Sequence, residues 1–563
     1  MDTQRNRRTT RSVTVGAAFV MSVALVAGAC SSSGTNASGS NGTTVGTNAN
    51  RNNPLQDDGT PQAGGRLVVA VPAETNGWNP AKSQWADAGS SVGSAFLEPL
   101  SVLDNDGTAK EWLAESWKSN ADFTQWDITV KPNIKYHNGE PMDGKSLAEN
   151  LTFIYQNGLT KIALESQYDH VEQTGPLSAK VYLKRPWSQW PVSLNNVWMM
   201  APEMLASADN GVSKPIGTGP FVFQEWQTDK YLRAKKNPTY WRKGDNGEQL
   251  PLLDEIEFRP LVDDDSKDRA LKAKDVDVAL TTSAQLASRL EGEDFSVIRD
   301  YTSERTFIML NTAEGPTNAP NPFTNLHARK ALAYATDRAY IAGLVGEGVE
   351  TATQGYRPES PWGMPESETG YPAFDVKKAK DEVEAFKKDT GKTELSFTLT
   401  GLTSIEDQAI MQALQAQWKD AGIDAKIDAQ EQVKYISTIA VGNYQAGWFR
   451  WYGYLNPDSN YVYNAKEDAN PIGQLSINFT HYTSDRMQGN LEGIRKNADL
   501  ETRKKANVEV VKETNEQAIN VWLFDTPYAL VAANDVKGMN NFRTHPFGNF
   551  SAKPWWANVW IKK

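Results

Sequence analysis

The apolar positions along this chain follow two periods. Leu67-Val68-Val69-Ala70-Val71 is a short continuous apolar run between Gly64-Gly65-Arg66 and Pro72. A run of that length with those boundaries predicts a buried strand. Trp126, Ile128 and Val130 alternate with Asp127 and Thr129 until Pro132-Asn133, which predicts a half-buried strand. In the second half, Ala328, Ala331, Leu332 and Ala335 recur at helical spacing behind Asn325, a residue type suited to an N-cap. Ile410, Leu414 and Trp418 form a second helical stripe that Gly422 ends, and Ile423, Ala425 and Ile427 then alternate as a strand. Helices and strands are interspersed throughout, so the fold class is α/β. The pattern shows no internal repeat.

The first residues carry a different signal. Arg5, Arg7, Arg8 and Arg11 precede an apolar stretch, Val13 to Ala29, that ends in Ala27-Gly28-Ala29-Cys30. This order predicts a signal peptide over residues 1–29, and the stretch is short and weak for a spanning helix, which needs about 20 apolar residues. Arg7-Arg8 raises the twin-arginine route, but Thr9, Thr10 and Arg11 come next instead of apolar residues, which favours ordinary secretion. Cys30 is the only cysteine. Alone, it cannot staple the fold, and its place at the cleavage point needs another explanation. The segment resembles a bacterial lipobox, with Ala27 where leucine is preferred; that resemblance implies a diacylglycerol on Cys30. Residues 30–63, the lipidated cysteine and the stretch after it, are mostly Ser, Gly, Thr, Asn and Gln, a composition that predicts a flexible tether. About 30 such residues span on the order of 30 Å.

Composition narrows the partners. Residues 1–29 hold four Arg and one Asp, so their removal takes the formal net charge from −11 to −14. That balance excludes nucleic acid and leaves the lipid as the only membrane contact. The roughly 500 residues after the tether divide into two or three domains by ordinary domain sizes. His137, His170, His327, His481 and His545 show no metal-ligand spacing, so no local metal motif is read. Gly89-Ser90-Ser91-Val92-Gly93 matches the G-x-S-x-G of hydrolases, but Gln84-Trp85-Ala86-Asp87-Ala88 is a poor strand to hold a nucleophile. Gly217-Thr218-Gly219 lacks the third glycine of a nucleotide loop. No catalytic residue and no cofactor are expected.

Several motifs occur in a fixed order: Gly64-Gly65-Arg66-Leu67; Leu113-Ala114-Glu115-Ser116-Trp117; Tyr136-His137-Asn138-Gly139-Glu140-Pro141; Gly217-Thr218-Gly219-Pro220-Phe221; Asn237-Pro238-Thr239-Tyr240-Trp241; and Leu310-Asn311 followed by Ala328 to Arg338. Together they resemble the family 5 extracellular solute-binding proteins, the peptide and nickel receptors of ABC importers. The resemblance implies a two-lobed periplasmic-binding-protein-like fold with an extra inserted domain, three domains in all, and a ligand cleft between the lobes. Carried over, lobe I is 64–93, 216–305 and 520–563, the inserted domain II is 94–215, and lobe III is 306–519. The rigid Gly217–Phe221 turn is expected where backbone passes between lobes. Trp117, Trp126 and Trp241 are expected in domain cores, and Arg329 and Asp337 facing solvent or another lobe.

The resemblance also points to the ligand. Aromatic residues crowd the stretch Trp448-Phe449-Arg450-Trp451-Tyr452-Gly453-Tyr454-Leu455-Asn456-Pro457-Asp458. Side chains alternate sides along a strand, so these cannot all face one core, and cleft lining is expected from Trp448, Arg450, Trp451, Tyr452, Gly453, Tyr454 and Asn456. Trp78 and Asn79, just after the first strand, are expected across the cleft from them. Tyr454 stands where peptide receptors carry the aspartate for an α-amino group, and Gly401 and Thr403 where dipeptide receptors hold the carboxylate. The implied function is a monomeric substrate-binding lipoprotein of an ABC importer, capturing an oligopeptide or peptide-like solute and handing it to permease subunits. It would be lipid-anchored outside the cytoplasmic membrane, or on the periplasmic side in a host with two membranes. The alternatives are a receptor for an oligosaccharide or other non-peptide solute, and a secreted hydrolase.

Overall fold

The computed structural model describes residues 58–83, 85–104, 106–244, 246–292, 294–301, 304–314, 320–346, 348–452, 456–539 and 554–563. The signal peptide, Cys30 and nearly all of the tether lie outside the described residues. No helix among the described residues is long and apolar enough to cross a membrane.

Two sheets carry the fold. The first has seven strands in the order Phe295–Asp300, Tyr528–Ala533, Val278–Thr281, Arg66–Val71, Glu255–Pro260, Tyr231–Lys236 and Phe221–Gln227. The apolar run at 67–71 sits at its centre, parallel to both neighbours, and parallel strands covered on two faces read as continuous apolar runs. The second sheet has five strands: Ile423–Gln430, Leu395–Leu402, Ala446–Tyr452, Glu304–Leu310 and Asn520–Asp525. The helical stripe at 410–418 belongs to the helix Ile405–Asp420, which joins the parallel pair Leu395–Leu402 and Ile423–Gln430. Asn325 caps the helix Leu326–Ala335 as expected, its side chain accepting from the His327 and Ala328 N–H groups. The inserted part has its own four-stranded antiparallel sheet, in which Gln125–Val130 alternates buried Trp126, Ile128 and Val130 with wetter residues. Trp117 and Trp241 pack half-buried against the same core.

The lobe boundaries differ from the sequence reading. The chain passes from the first sheet to the second between Asp300 and Glu304, and returns between Asp525 and Tyr528. Asn520–Asp525, read from sequence as lobe I, pairs with Glu304–Leu310 in the second sheet. Gly217–Phe221 is not a passage between the two lobes. It is the seam through which the inserted domain re-enters the first sheet: Gly219 N donates to Phe96 O at 2.9 Å and Phe221 N to Ala95 O at 2.9 Å. A Cβ at Gly217 or Gly219 would collide with the Phe96 backbone, so only glycine fits. His137 locks the turn from the other side. Its Nε2 lies 2.9 Å from Gly219 O, and its Nδ1 accepts from Gly217 N at 3.3 Å. This pairing requires the neutral ring, and burial lowers its pKa to about 4.

Glu98 stands at the centre of the seam, fully buried. It accepts from Thr218 Oγ1 at 2.8 Å, Tyr240 OH at 2.7 Å, Trp241 Nε1 at 2.9 Å and Trp112 Nε1 at 3.0 Å. Burial raises its carboxyl above the ordinary value, and the four donors work against that shift.

Arg329 is a further correction. It is buried rather than facing solvent, and donates to Gln517 O and Phe323 O, each at 2.7 Å. Burial lowers its pKa to about 10. Asp337 caps the helix Arg338–Val345.

The inserted domain also meets the second lobe. Trp187 Nε1 donates to Asp458 Oδ1 at 2.9 Å, and the Arg495 guanidinium lies 4.1 Å from the Trp187 ring centroid and 3.7 Å from that of Tyr461.

Glu98→Ala should lower stability by about 3 kcal/mol or more, because it orphans three buried donors and the half-buried Trp241 at roughly 1–3 kcal/mol each. Glu98→Gln, which keeps a carbonyl oxygen, should lose less. Urea unfolding followed by tryptophan fluorescence measures both; two unchanged midpoints would show that the seam does not depend on this carboxylate.

Candidate functional site

A cavity of about 1030 Å³ lies between the two sheets. Its position follows from strand direction. Arg66–Val71, Glu255–Pro260 and Val278–Thr281 of lobe I run parallel, and their carboxyl ends lead into Pro72–Asn76, Val262 and Thr282-Ser283 on the wall. From lobe III, Leu395–Leu402 leads into Thr403–Asp407 and Ile423–Gln430 into Glu431–Val433. Ligands of open α/β sheets bind outside such carboxyl ends.

The floor is a buried polar network at the two chain crossings. Arg450 donates to Tyr528 OH at 3.2 Å, and Tyr528 OH bonds Glu304 Oε2 at 2.6 Å and Asp87 Oδ2. Burial alone would lower the Arg450 guanidinium, but Tyr528, Asp407 and Glu304 hold it above its usual range. Burial, then Asp87 and Glu304, raise Tyr528 well above 10, so it stays a phenol. Asp87 and Tyr528 belong to lobe I, Glu304 and Arg450 to lobe III. Beside them Asp525 binds Arg305 at 2.9 Å and Arg357 at 2.6 Å, and Thr306 and Thr526 hydroxyls pair at 2.7 Å.

Aromatic faces form the lobe III wall. Trp448 packs 6.1 Å from Phe524 on one side of the sheet, and Phe449 packs 5.5 Å from Phe479 and 5.8 Å from Phe307 on the other. Tyr435 donates to Trp448 O. Among the described residues none accepts from the buried Trp448 indole N–H. At the rim, Val262 of lobe I and Leu344, Ile405 and Val433 of lobe III are exposed large apolar side chains.

Of the residues expected from sequence, the structure places Trp448 and Arg450 on the wall. Trp451 and Tyr452 pair through their backbones with Arg305 and Glu304, but their side chains are outside the description, as are Gly453 and Tyr454 altogether. Trp78 and Asn79 stand off the cavity. Beyond Asn76 the chain turns into the seam, where Trp78 packs on Trp226 and Asn79 donates to Asn210 O at 2.6 Å and accepts from Ala81 N. Asn456 is also off the wall: it donates to Gly107 O at 3.1 Å and accepts from Arg503 at 2.7 Å, tying the inserted domain to lobe III. At Gly401 the end of the Met411 side chain fills the space a Cβ would take, so a larger residue would need Met411 to move. Thr403 lines the cavity, its hydroxyl 3.3 Å from Glu431. Sequence reasoning missed Asp87, Tyr528 and the acidic positions after the strand ends. The one available signal for the last was position, since Glu431 directly follows a strand legible from its alternation. Gly89–Gly93 lies in the helix Asp87–Gly93, which is not the strand-to-helix turn a hydrolase serine needs. Among the described residues no group of His, Cys, Asp and Glu suits a metal ion.

Tyr528→Phe keeps the ring and removes the hydroxyl that joins both lobes. It should cost about 1–3 kcal/mol, the range for orphaning a buried polar partner. Chemical denaturation measures this, and an unchanged unfolding midpoint would show that the hydroxyl does not tie the floor.

Residues 108–471 match the sequence profile of bacterial extracellular solute-binding proteins, family 5 Middle. The glutathione-binding protein GsiB of Salmonella paratyphi A is 26% identical over 347 residues, 60% of this chain and 65% of that protein. The match thus spans slightly under two thirds of that relative's length. The nickel-binding periplasmic protein of Escherichia coli K12 is 25% identical over 389 residues, 64% of this chain and 70% of that one. Among solved structures, AgaA from A. tumefaciens R10 in complex with agropinic acid has a TM-score of 0.78 at 22% identity, covering 89% of this chain and 99% of that one. The oligopeptide-binding protein AppA from Bacillus subtilis in complex with a nonapeptide has a TM-score of 0.75 at 20% identity, covering 90% and 100%. These structures share the two-lobed fold, and the profile covers well over half of the sequence: this chain belongs to family 5 of the bacterial extracellular solute-binding proteins.

Proposed function

We propose that this protein captures an oligopeptide or peptide-like solute outside the cell and delivers it to the permease of an ABC importer, acting as a monomer without a cofactor. The observation that carries this reading is the aromatic-walled cavity of about 1030 Å³ between the lobes. It lies at the upper end of the roughly 300–1,000 Å³ of small-ligand pockets. The apolar rim residues come from both lobes, so closure over a ligand would bury them. A plain dipeptide fits poorly. Thr403 offers no positive charge to a carboxylate, and Met411 fills the space a side chain at 401 would need. A zwitterion's carboxylate would meet a wall whose only cations among the described residues, Lys267 and Arg450, already bond Asp264 and Tyr528, which is costly in a dry cleft. A second reading, an oligosaccharide receptor, rests on the same aromatic faces, which stack on sugar rings as well as on apolar side chains.

Titration calorimetry against dipeptides, longer peptides and oligosaccharides should show binding of a longer peptide at micromolar affinity or better, with Trp448→Ala weakening it at least tenfold. X-ray scattering should show compaction when that peptide is added. Dipeptide binding of equal strength, indifferent to Trp448→Ala, would remove the reading; tight binding of an oligosaccharide alone would transfer the site to the second one.

We also propose that Cys30 carries the lipid that keeps the receptor at the membrane surface, each buried methylene of the chain contributing about 0.8 kcal/mol. Cys30→Ser should release the protein into the medium. Retention of the variant on membranes through salt and carbonate washes would show a different anchor.

A further inference from the structure

Two bodies meet in this structure. The first sheet and the inserted domain share one continuous core: Leu67, Val69 and Phe258 of the sheet belong to the same apolar cluster as Trp126, Ile128 and Trp190 of the inserted domain. Together with the Glu98 seam, this makes lobe I and the inserted domain a single body. Lobe III has clusters of its own, one around Leu399 and Trp418 and one around Phe307 and Trp522. Among the described residues, the chain crosses between the bodies between Asp300 and Glu304 and between Asp525 and Tyr528.

A second meeting point is built from other residues. Trp187 Nε1 donates to Asp458 Oδ1 at 2.9 Å, Ser188 N to Arg495 O at 2.7 Å, and Ser188 Oγ to Asn497 O at 2.6 Å. Tyr461 OH accepts from Gln167 Nε2 at 3.1 Å. Trp187, Asp458, Tyr461 and Arg495 are all buried, and none of them lines the cavity. The contact has a specific shape, an indole aimed at a carboxylate and a guanidinium stacked between two rings. It is also incomplete. Among the described residues, none accepts a hydrogen bond from the three Arg495 guanidinium nitrogens, and donors left so in a buried place oppose the gains around them. Terms of opposite sign make such a contact conditional.

Two bodies joined at a hinge cannot part their cleft walls and keep this contact. Its free energy therefore counts in the closed form alone. Any change in the closed fraction then changes the apparent affinity for every ligand of that form by one common factor.

We infer that Trp187 and Ser188 are positioning residues: acting through Asp458, Arg495 and Asn497, they set the fraction of closed receptor before a solute arrives, and so scale affinity without touching the solute. The inference holds whichever solute the cavity takes.

The Cys30→Ser chain has no other cysteine. Lys184→Cys and Lys496→Cys, two exposed positions close in sequence to Trp187 and Arg495, then each take one nitroxide label. Pulsed electron–electron resonance on this protein with no solute added should give two distances, a short one with the contact shut and a long one with it open. Trp187→Phe keeps a ring in the core and removes the donor to Asp458. It should lower the ratio of short to long distances about tenfold, the effect of losing one buried hydrogen bond to a charged group. Ser188→Ala should shift the ratio the same way by a smaller factor, and it decides the matter if Trp187→Phe does not fold. A role in folding alone would leave the ratio unchanged in a variant with the wild-type circular dichroism spectrum. Each member of the calorimetric panel that binds should lose affinity by one common factor in a given variant. A single distance distribution shared by the wild type and the variants, short or long, overturns the inference. So does an affinity loss that differs from solute to solute, which would place the effect in the cavity.

Discussion

The structure depends on one dry carboxylate. Among the described residues no cation bonds Glu98; four neutral donors hold it instead, from Trp112, Thr218, Tyr240 and Trp241. A buried ion costs several kcal/mol unless its lone pairs are all answered, so each of these residues is fixed by the demand of the others. The donors come from separate parts of the chain: the inserted domain, the turn through which it returns, and the loop leading to the next strand of lobe I. Satisfying Glu98 therefore assembles the seam, and the seam sets where the first sheet and its strand ends stand. The cleft is downstream of that placement.

This arrangement explains what was legible in the sequence. The motifs that carried the family resemblance look unrelated when read along the chain, yet Trp112 beside Leu113-Ala114-Glu115, Thr218 in its glycine turn, and Tyr240-Trp241 all donate to one acceptor, and His137 braces the same turn. Glu98 itself lay in the apolar stretch Phe96-Leu97-Glu98-Pro99-Leu100, where a lone acid is a signal only once its donors are known. Strands and helices with clean periodicity were read correctly. The lobe boundary at 519/520 was not, because Asn520–Asp525 is buried along its whole length and such a strand reads alike in either sheet. Which sheet takes it is a tertiary choice.

The site was half legible for a similar reason. Trp448 and Arg450 stood out because aromatic crowding on a strand exceeds what one core can absorb. Trp78 and Asn79 misled because closeness to a strand end in sequence does not survive the turn after Asn76. The acidic wall was invisible: Asp264, Glu406 and Glu431 are each an ordinary acid at the start of a helix, where the macrodipole favours one anyway. Only the fold brings three routine positions to one surface.

The contact between the inserted domain and lobe III carries a mechanical consequence. Arg495 is a buried cation held between a ring from each side, Trp187 and Tyr461, with the Asp458 carboxylate at 3.5 Å. Contacts of this kind are strong only gross of hydration. When the two rings separate, water returns to the guanidinium and replaces most of what stacking and the ion pair supplied. Such a clasp has a defined geometry when shut and little net free energy to overcome when it opens. A purely apolar contact of the same area would expose oil to water on parting and would resist it more strongly.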